Sequence, residues 1–206
     1  MDSTSTQDDV RLAVSRQAAR LFLERGVRGT TGDDIAEAAG LSTRTIWRYF
    51  GTKENCVAPL FSTSSLRFIT KLRAWPRNVS IEEYLHRAFS ENTRTPQEIA
   101  DEMLVTRLVA MLPEEPALRA AYLMSAQEGE EDLANTIADR LLRSPTDFEV
   151  RLCAATVMAA IRILDETIST AIVRDGQTFT REDTIDRVGR AIRAASTLPI
   201  CDPVVL

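Results

Sequence analysis

The sequence of 206 residues has only one histidine and three cysteines, and these scarcities exclude several kinds of site. A single histidine argues against a histidine-based metal site. Cys56, Cys153 and Cys201 are widely spaced, odd in number and without a C-x-x-C pair. This pattern indicates a reducing cytoplasm and no disulfide framework. We therefore expect no metal and no cofactor.

Long apolar runs and catalytic motifs are also missing. No run of about 18 apolar residues is present, and the N-terminus lacks the basic and then apolar pattern of a signal peptide. The sequence therefore predicts a cytoplasmic protein without a membrane partner. It contains no glycine-rich phosphate loop, no G-x-S-x-G and no H-E-x-x-H. We expect no catalytic residues and no enzymatic activity.

The hydrophobic fraction of 44% is enough to bury the core of one large or two small domains. Apolar residues recur at helical spacing, and no segment alternates as a half-buried strand does. The sequence therefore predicts an all-α fold of about nine helices. Their predicted ranges are 9–25, 32–39, 43–50, 53–74, 81–93, 97–112, 116–143, 146–174 and 181–197.

Residues 30–53 predict two short helices joined by a tight turn. Thr31 and Asp34 fit a capping box at the start of the first helix, and Gly40 suits the left-handed residue that ends it. Ser42 can cap the second helix, which would bury one face through Ile46 and Phe50. The outer face of that helix then carries threonine, arginine and tryptophan. Such a pair is typical of a helix-turn-helix whose second helix enters a major groove.

The charge distribution supports this interpretation. The chain is acidic overall, with a net charge of −5, so its bulk charge does not attract nucleic acid. The segment from Leu41 to Lys53 nevertheless holds three basic residues and no acidic one. A local basic patch favours a defined DNA footprint. The alternative is a solvated two-helix corner of some other helical domain.

We assign the expected DNA contacts from this geometry. Base edges or thymine methyl groups should be contacted by Thr43, Arg44 and Trp47. Phosphates should be held by Thr31, Ser42, Arg48, Tyr49 and Lys53.

The run from Phe22 to Lys53 closely resembles the N-terminal domain of TetR-family transcriptional regulators. The matching residues are Gly26, Thr30, Thr31, Ile35, Ala36, Ala39, Gly40, Ser42, Thr45, Tyr49, Phe50 and Lys53. The resemblance covers about a quarter of the chain. It implies a three-helix DNA-binding domain, residues 1–52, and a helical ligand-binding and dimerisation domain, residues 53–206, with helix 53–74 as the connector. Many relatives carry Tyr or Phe where this chain has Trp47.

The segment 150–173 is apolar on all sides, which predicts a helix that is covered on two sides. One side would face the domain core and the other a partner. In the resembling family the last two helices pair with their symmetry mates as a four-helix bundle. We therefore expect a homodimer through helices 146–174 and 181–197, which could read an inverted repeat of DNA. The expected interface residues are Ala155, Ala159, Val188 and Ile192. The alternative is a monomer in which these helices are simply central.

Methionine and aromatic residues are spread over helices five to seven, with polar groups among them. Each one singly is better explained as core, whereas the whole set could equally line a ligand cavity. Arg162 and Glu166 are four residues apart, so an ion pair competes with a ligand role for Arg162. The candidate pocket residues are Tyr84, Phe89, Met103, Arg107, Met111, Tyr122, Met124, Gln127, Met158 and Arg162.

The sequence thus predicts a ligand-responsive DNA-binding regulator. Its partners would be double-stranded operator DNA with an inverted repeat, a small-molecule effector and a second copy of the chain. We expect a repressor that a small apolar or amphipathic effector releases from the operator. The alternative function is an all-α enzyme or small-molecule carrier with an incidental basic patch.

Overall fold

The computed structural model describes residues 3–90 and 94–204, and in these ranges the chain is helical with no strand. The all-α prediction is confirmed. A 3₁₀ turn at Glu54–Val57 lies between α3 and α4. The α-helices are α1 (Ser3–Arg25), α2 (Gly32–Ala39), α3 (Thr43–Phe50), α4 (Ala58–Arg73), α5 (Ile81–Ser90), α6 (Pro96–Val109), α7 (Pro116–Leu141), α8 (Phe148–Asp175) and α9 (Arg181–Ala195).

Two predicted helix starts in the first half of the chain are wrong. Helix α1 begins at Ser3, six residues before the predicted start at residue 9. The predicted helix 53–74 does not run from residue 53, because a 3₁₀ turn precedes α4. The cause is Pro59, which has no N–H and whose ring would clash with the carbonyl four residues earlier in a continuous α-helix. A proline fits only in the first turn, which places the start of α4 at Ala58. The predicted end of helix five, residues 91–93, lies outside the described residues.

Three helices of the described chain begin with a capping box, including the one predicted at Thr31 and Asp34. Reciprocal side-chain and backbone bonds form the capping boxes Thr31–Asp34, Thr95–Glu98 and Thr180–Asp183. The predicted start of helix 146–174 is wrong. Helix α8 begins at Phe148, and its preceding residue Asp147 makes no side-chain cap bond. The Asp147 carboxylate instead accepts a bond of 3.1 Å from Nε of Arg143.

The chain forms two compact units, of which the first comprises residues Met1–Ser64 and Thr95–Ser125. Its core joins the first three helices to α6 and the start of α7, and Phe22, Ile35 and Ile46 are fully buried there. Burial of such side chains stabilises the fold by about 1.5–3 kcal/mol each. The helices of the predicted DNA-binding domain thus share a core with α6. The predicted domain boundary at residue 52 remains a prediction.

A partly buried ion pair also connects α1 with α6 in this first unit. Nε and Nη2 of Arg16 donate to the two carboxylate oxygens of Asp101, each at 2.8 Å. The Asp101 side chain is 5% exposed and also accepts a bond from Gln97. These bonds to Asp101 raise the pKa of Arg16 above its usual value.

The second unit comprises residues Ser65–Arg94 and Ala126–Leu206. Its core includes the fully buried Ile81, Ile137 and Ile192. Arg140 is buried in it and stacks on the Trp75 ring, with 3.6 Å between its guanidinium carbon and the ring centroid. Burial lowers the pKa of Arg140. The guanidinium donates to main-chain carbonyls of Pro76, Arg77, Val79, Ile200 and Asp202. These bonds fasten both the loop between α4 and α5 and the C-terminal tail to α7.

Within the described part of the chain, no helix combines the length and the apolar character needed to cross a membrane.

Candidate nucleic-acid interface

Helices α2 and α3 form the predicted two-helix unit with its turn. Gly40 ends α2 in the left-handed conformation, at φ 66°, and Oγ of Ser42 accepts the N–H of Thr45 at 3.2 Å. Ile46 and Phe50 are buried, as predicted from their spacing. Because these two side chains anchor one face of α3, its other face carries the polar and aromatic side chains.

The hydroxyl groups at this surface are already engaged. Oγ1 of Thr43 donates to Oδ1 of Asp33 at 2.6 Å, which ties the start of α3 to α2. Oγ1 of Thr31 donates to Oδ2 of Asp34 at 2.5 Å, and Oγ of Ser42 pairs with Oγ1 of Thr45 at 2.8 Å. Thr43 therefore offers DNA its methyl group and oxygen lone pairs. Thr31 must exchange an internal bond in order to donate to a phosphate.

The segment from Leu41 to Lys53 contains no acidic residue, but two carboxylates of α2 lie close to the same surface. Asp33 accepts from Thr43, and Asp34 accepts from Thr31 and lies 3.3 Å from Nη1 of Arg25. The hydrogen bonds from the side chain and main chain of Thr31 lower the pKa of Asp34, so this carboxylate stays ionised. These carboxylates belong to α2. The charge count from Leu41 to Lys53 did not include that helix.

Two arginines of α3 differ in their surroundings. Arg44 is exposed, and its guanidinium makes no hydrogen bond or ion pair with the described residues. Arg48 is exposed too, with its guanidinium carbon 4.9 Å from the centroid of the Tyr49 ring. Arg44 can therefore donate all its N–H groups to a ligand, whereas Arg48 starts from a position over an aromatic ring.

The Lys53 side chain makes contacts that the sequence did not predict. Its Nζ donates to the carbonyl oxygens of Val27 at 2.6 Å and Thr30 at 2.8 Å. Two of its three N–H donors thus hold the loop between α1 and α2. One donor remains for a phosphate, so Lys53 has a structural role that the sequence did not reveal.

Sequence reasoning also missed Arg11, which lies beside the end of α3. Its guanidinium carbon is 5.8 Å from the centroid of the Phe50 ring, and its Nε is buried without a hydrogen-bond partner among the described residues. The available signal was the helical spacing from Arg11 to Val14, which is buried in the core. Arg11 adds a cation next to the recognition helix.

The predicted pocket residues are divided between the two units. Met103, Arg107, Met111, Tyr122 and Met124 belong to the first unit, and Tyr84, Phe89, Gln127, Met158 and Arg162 to the second.

In the first unit, the Tyr122 ring packs against Phe61 with centroids 5.1 Å apart, while Met103 and Met124 are 54% and 72% exposed. In the second, Phe89 stacks on Phe68, and Nη1 of Arg162 pairs with Glu166 at 2.8 Å. The role of the whole set as a pocket remains a prediction.

A pocket of about 280 Å³ lies between α5 and α9. Its walls are formed by Glu82, His86, Ile185, Asp186 and Arg190. Nε2 of His86 is 2.9 Å from Oδ1 of Asp186. No residue of the predicted pocket is among those walls.

Of the four predicted interface residues, Ala155, Ala159 and Val188 are half-buried in the single chain. Ile192 is 2% exposed and belongs to the core of its own chain, so a partner cannot cover it further. Helix α8 also exposes Leu152, Ile163 and Val173.

Comparisons with known proteins agree with this geometry. A family model described as "Bacterial regulatory proteins, tetR family" matches residues 16–60, and one described as "MftR C-terminal domain" matches residues 79–194. The chain is 30% identical to the HTH-type transcriptional regulator TcmR of Streptomyces glaucescens over 154 residues. That match covers 72% of this chain and 68% of TcmR.

Two further proteins are similar to this chain, one over a short segment and one over most of its length. The HTH-type transcriptional repressor KstR2 of Rhodococcus jostii is 43% identical over 56 residues, which cover 27% of this chain and 28% of KstR2. The transcriptional regulator FadR from Bacillus subtilis, solved in complex with stearoyl-CoA, has a TM-score of 0.50 at 16% identity. This alignment covers 90% of this chain and 97% of FadR, and it shows a shared fold.

The match to the C-terminal family model covers more than half of the chain, and the relation to TcmR extends over two thirds of both proteins. TetR-family regulators are not enzymes, so the alternative of an enzyme or carrier is not favoured. The chain belongs to the TetR family and is a ligand-responsive, DNA-binding transcriptional regulator.

Proposed function

We propose that the protein is a repressor that binds an inverted-repeat operator as a homodimer and is released by a small apolar or amphipathic effector. The observation that supports DNA reading most strongly is the outer face of α3. Arg44 is exposed there and pairs with none of the described residues, the neighbouring Trp47 side chain is 42% exposed, and Ile46 and Phe50 anchor the inner face. An unpaired guanidinium suits bidentate contact with a guanine in the major groove.

The base contacts come from the exposed face of α3, and two of the phosphate contacts, Thr31 and Ser42, require that an internal hydrogen bond be exchanged. Arg44 and Trp47 contact base edges, and the Thr43 methyl group contacts a thymine methyl, because the Thr43 hydroxyl is bound to Asp33. The phosphate contacts come from Thr31, Ser42, Arg48, Tyr49 and Lys53.

A DNA titration tests this assignment. Fluorescence anisotropy with fragments from upstream of the protein's own gene should locate an operator. Arg44→Ala should then lose preference at one base position of each half-site, and Arg87→Ala provides the control, since Arg87 is exposed on α5 and pairs with Glu83. Equal loss in both variants, or none in Arg44→Ala, would remove Arg44 from the interface.

Lys53→Ala is a second test, which measures the salt dependence of DNA binding. The variant should weaken binding to all sequences alike and reduce the salt slope by about 1. Because Lys53 also holds the carbonyls of Val27 and Thr30, the variant must first be shown to remain folded at the assay temperature. An unchanged salt slope in the folded variant would restrict Lys53 to its structural bonds.

The proposed dimer rests on the uncovered face of α8. Leu152, Ala155, Ala159 and Ile163 follow one another at helical spacing, and each is exposed or half-buried in the single chain. A second copy of α8 would cover this stripe. A twofold dimer would also present two recognition helices to half-sites about 34–36 Å apart.

Sedimentation velocity tests the dimer. The protein should sediment as a dimer at micromolar concentration, and Ala159→Glu should split it, because a charge would be buried without a partner. Ala100→Glu places the same charge on an exposed alanine of α6 and should leave the dimer intact. A monomeric parent protein would contradict the proposal.

Effector release is supported by the link between α6 and α1. Helix α6 carries two of the predicted pocket residues, Met103 and Arg107, and also Asp101, which holds Arg16 of α1. An effector that displaces α6 would therefore pull on the helix that packs behind α2 and α3. Arg107 and Arg162 are the candidates for binding an anionic head group.

Stearoyl-CoA is a suitable first probe, because FadR binds it and it combines an apolar chain with phosphates. Stearoyl-CoA should lower operator affinity, and a hundredfold loss would correspond to a coupling of about 2.7 kcal/mol. Coenzyme A alone and stearate alone separate the contributions of head group and chain. If these and other amphiphiles leave the affinity unchanged, effector release by this class is wrong.

A further inference from the structure

The Trp47 side chain lies directly against Gly32, the first residue of α2. A β-carbon on Gly32 would overlap Cζ2 and Cη2 of the indole and would lie 3.1 Å from its Cε2. Gly32 is buried, so the six-membered ring of the indole occupies the space that any other residue would use for its side chain.

The backbone does not require glycine at this position. The φ angle of Gly32 is not in the left-handed region, unlike those of Gly26, Gly40 and Gly51. Glycine also weakens a helix relative to alanine. The feature of the structure that explains the missing β-carbon is the close approach of Trp47.

The position of Gly32 relative to α3 is fixed from both sides. Thr31 before it is held in the capping box with Asp34, and Asp33 after it accepts the hydroxyl of Thr43 at 2.6 Å. Thr43 and Trp47 are four residues apart on α3 and therefore share a face. The first turn of α2 thus contacts two side chains that are both proposed to face DNA.

We propose that Gly32 is the positioning residue for Trp47, and that this pair contributes to operator preference. The inference rests on the proposed DNA contact of α3. The bare Cα of Gly32 holds the indole in one place, so little side-chain entropy is lost when Trp47 meets DNA. The indole N–H makes no hydrogen bond with the described residues and is available to an acceptor on the operator. A methyl group on Gly32 would move the ring away from that position.

A double-mutant cycle tests the pair, with operator affinity and base preference measured by fluorescence anisotropy. Gly32→Ala should lower affinity for the operator about tenfold, the typical loss for one mismatched base pair. Trp47→Phe shortens the aromatic group and should relax preference at the same base pairs. Adding Gly32→Ala to Trp47→Phe should change affinity by less than about twofold, because the methyl group then finds free space. Gly189→Ala on α9 is the matched control, since its β-carbon would make only ordinary contacts with α5, at 3.5 Å from Cγ of Glu82 and 3.6 Å from Cδ1 of Leu85.

Indole fluorescence gives an independent readout. Acrylamide should quench tryptophan emission more strongly in Gly32→Ala than in the parent protein, while helix content stays the same. If Gly32→Ala does not fold, the comparison of Trp47→Phe with the double variant still decides the question. The proposal is overturned if Gly32→Ala costs as much in the Trp47→Phe background as alone, or if Trp47→Phe leaves both affinity and preference unchanged. A parent protein that binds no operator would overturn the proposed function and this inference together.

Discussion

Replacing Arg16 and replacing Asp101 should lower the free energy of unfolding by different amounts, although both substitutions break the same ion pair. Arg16→Met removes both bonds that Arg16 donates to the Asp101 carboxylate, which is 5% exposed. Removing one partner of a buried pair costs about 3–5 kcal/mol. Asp101→Leu leaves Arg16 with a side chain that is 23% exposed and can turn toward water. That variant should therefore lose less, about 1–3 kcal/mol.

The double variant distinguishes a charge effect from general disruption. Replacing a buried ion pair by apolar residues of similar size is often neutral or stabilising. Arg16→Met combined with Asp101→Leu should therefore lie within about 1 kcal/mol of the parent protein. The two single losses should not add, because both arise from one interaction.

Urea unfolding followed by circular dichroism measures these free energies. Hydrogen exchange of peptides from α1 and α6 shows whether the loss is local to the helices that the pair joins. The reasoning is refuted if Arg16→Met costs less than about 1 kcal/mol, the scale of an exposed pair. It is equally refuted if the double variant loses the sum of the two single variants.

Three further predictions concern caps, acid and thiol chemistry. Thr31→Ala and Thr180→Ala remove equivalent capping boxes. Each variant should therefore lower the free energy of unfolding in urea by about 1 kcal/mol. Only Thr31→Ala should also weaken operator binding. Because the bonds from Thr31 lower the pKa of Asp34, its contribution to stability is present above its usual pKa and lost as the pH falls through the lowered value. Asp34→Asn should accordingly flatten the acid end of the stability–pH curve, and an unchanged curve would contradict this. Burial raises the pKa of the Cys56 thiol to about 12, so native protein at pH 8 should resist iodoacetamide at Cys56, whereas urea-unfolded protein should react.

Local chemistry made much of the fold predictable from the sequence. The capping box at Thr31 and the left-handed residue Gly40 involve neighbours within a few positions, so their residue types are enough to locate helix ends. The inner face of α3 followed from the four-residue spacing of Ile46 and Phe50. The start of α4 is also determined locally, by Pro59, and the predicted start at residue 53 was wrong.

Contacts between residues far apart in sequence could not be predicted. Asp101 is 85 residues from Arg16, and nothing in the pattern of α6 indicates a buried carboxylate. The bonds of Lys53 to Val27 and Thr30 likewise depend on how the loop between α1 and α2 folds back. The contact between Trp47 and Gly32 depends on the packing of α2 against α3. The sequence suggested only that Trp47 is exposed.

Hydroxyl-radical footprinting of the operator tests the central claim most directly. The parent protein should protect two half-sites whose centres are 10–10.5 base pairs, or a multiple of that spacing, apart. Arg44→Ala should lose this pattern at a concentration where Arg87→Ala retains it. Protection of a single site, or uniform protection without half-sites, would contradict an inverted-repeat operator read by two copies of α3.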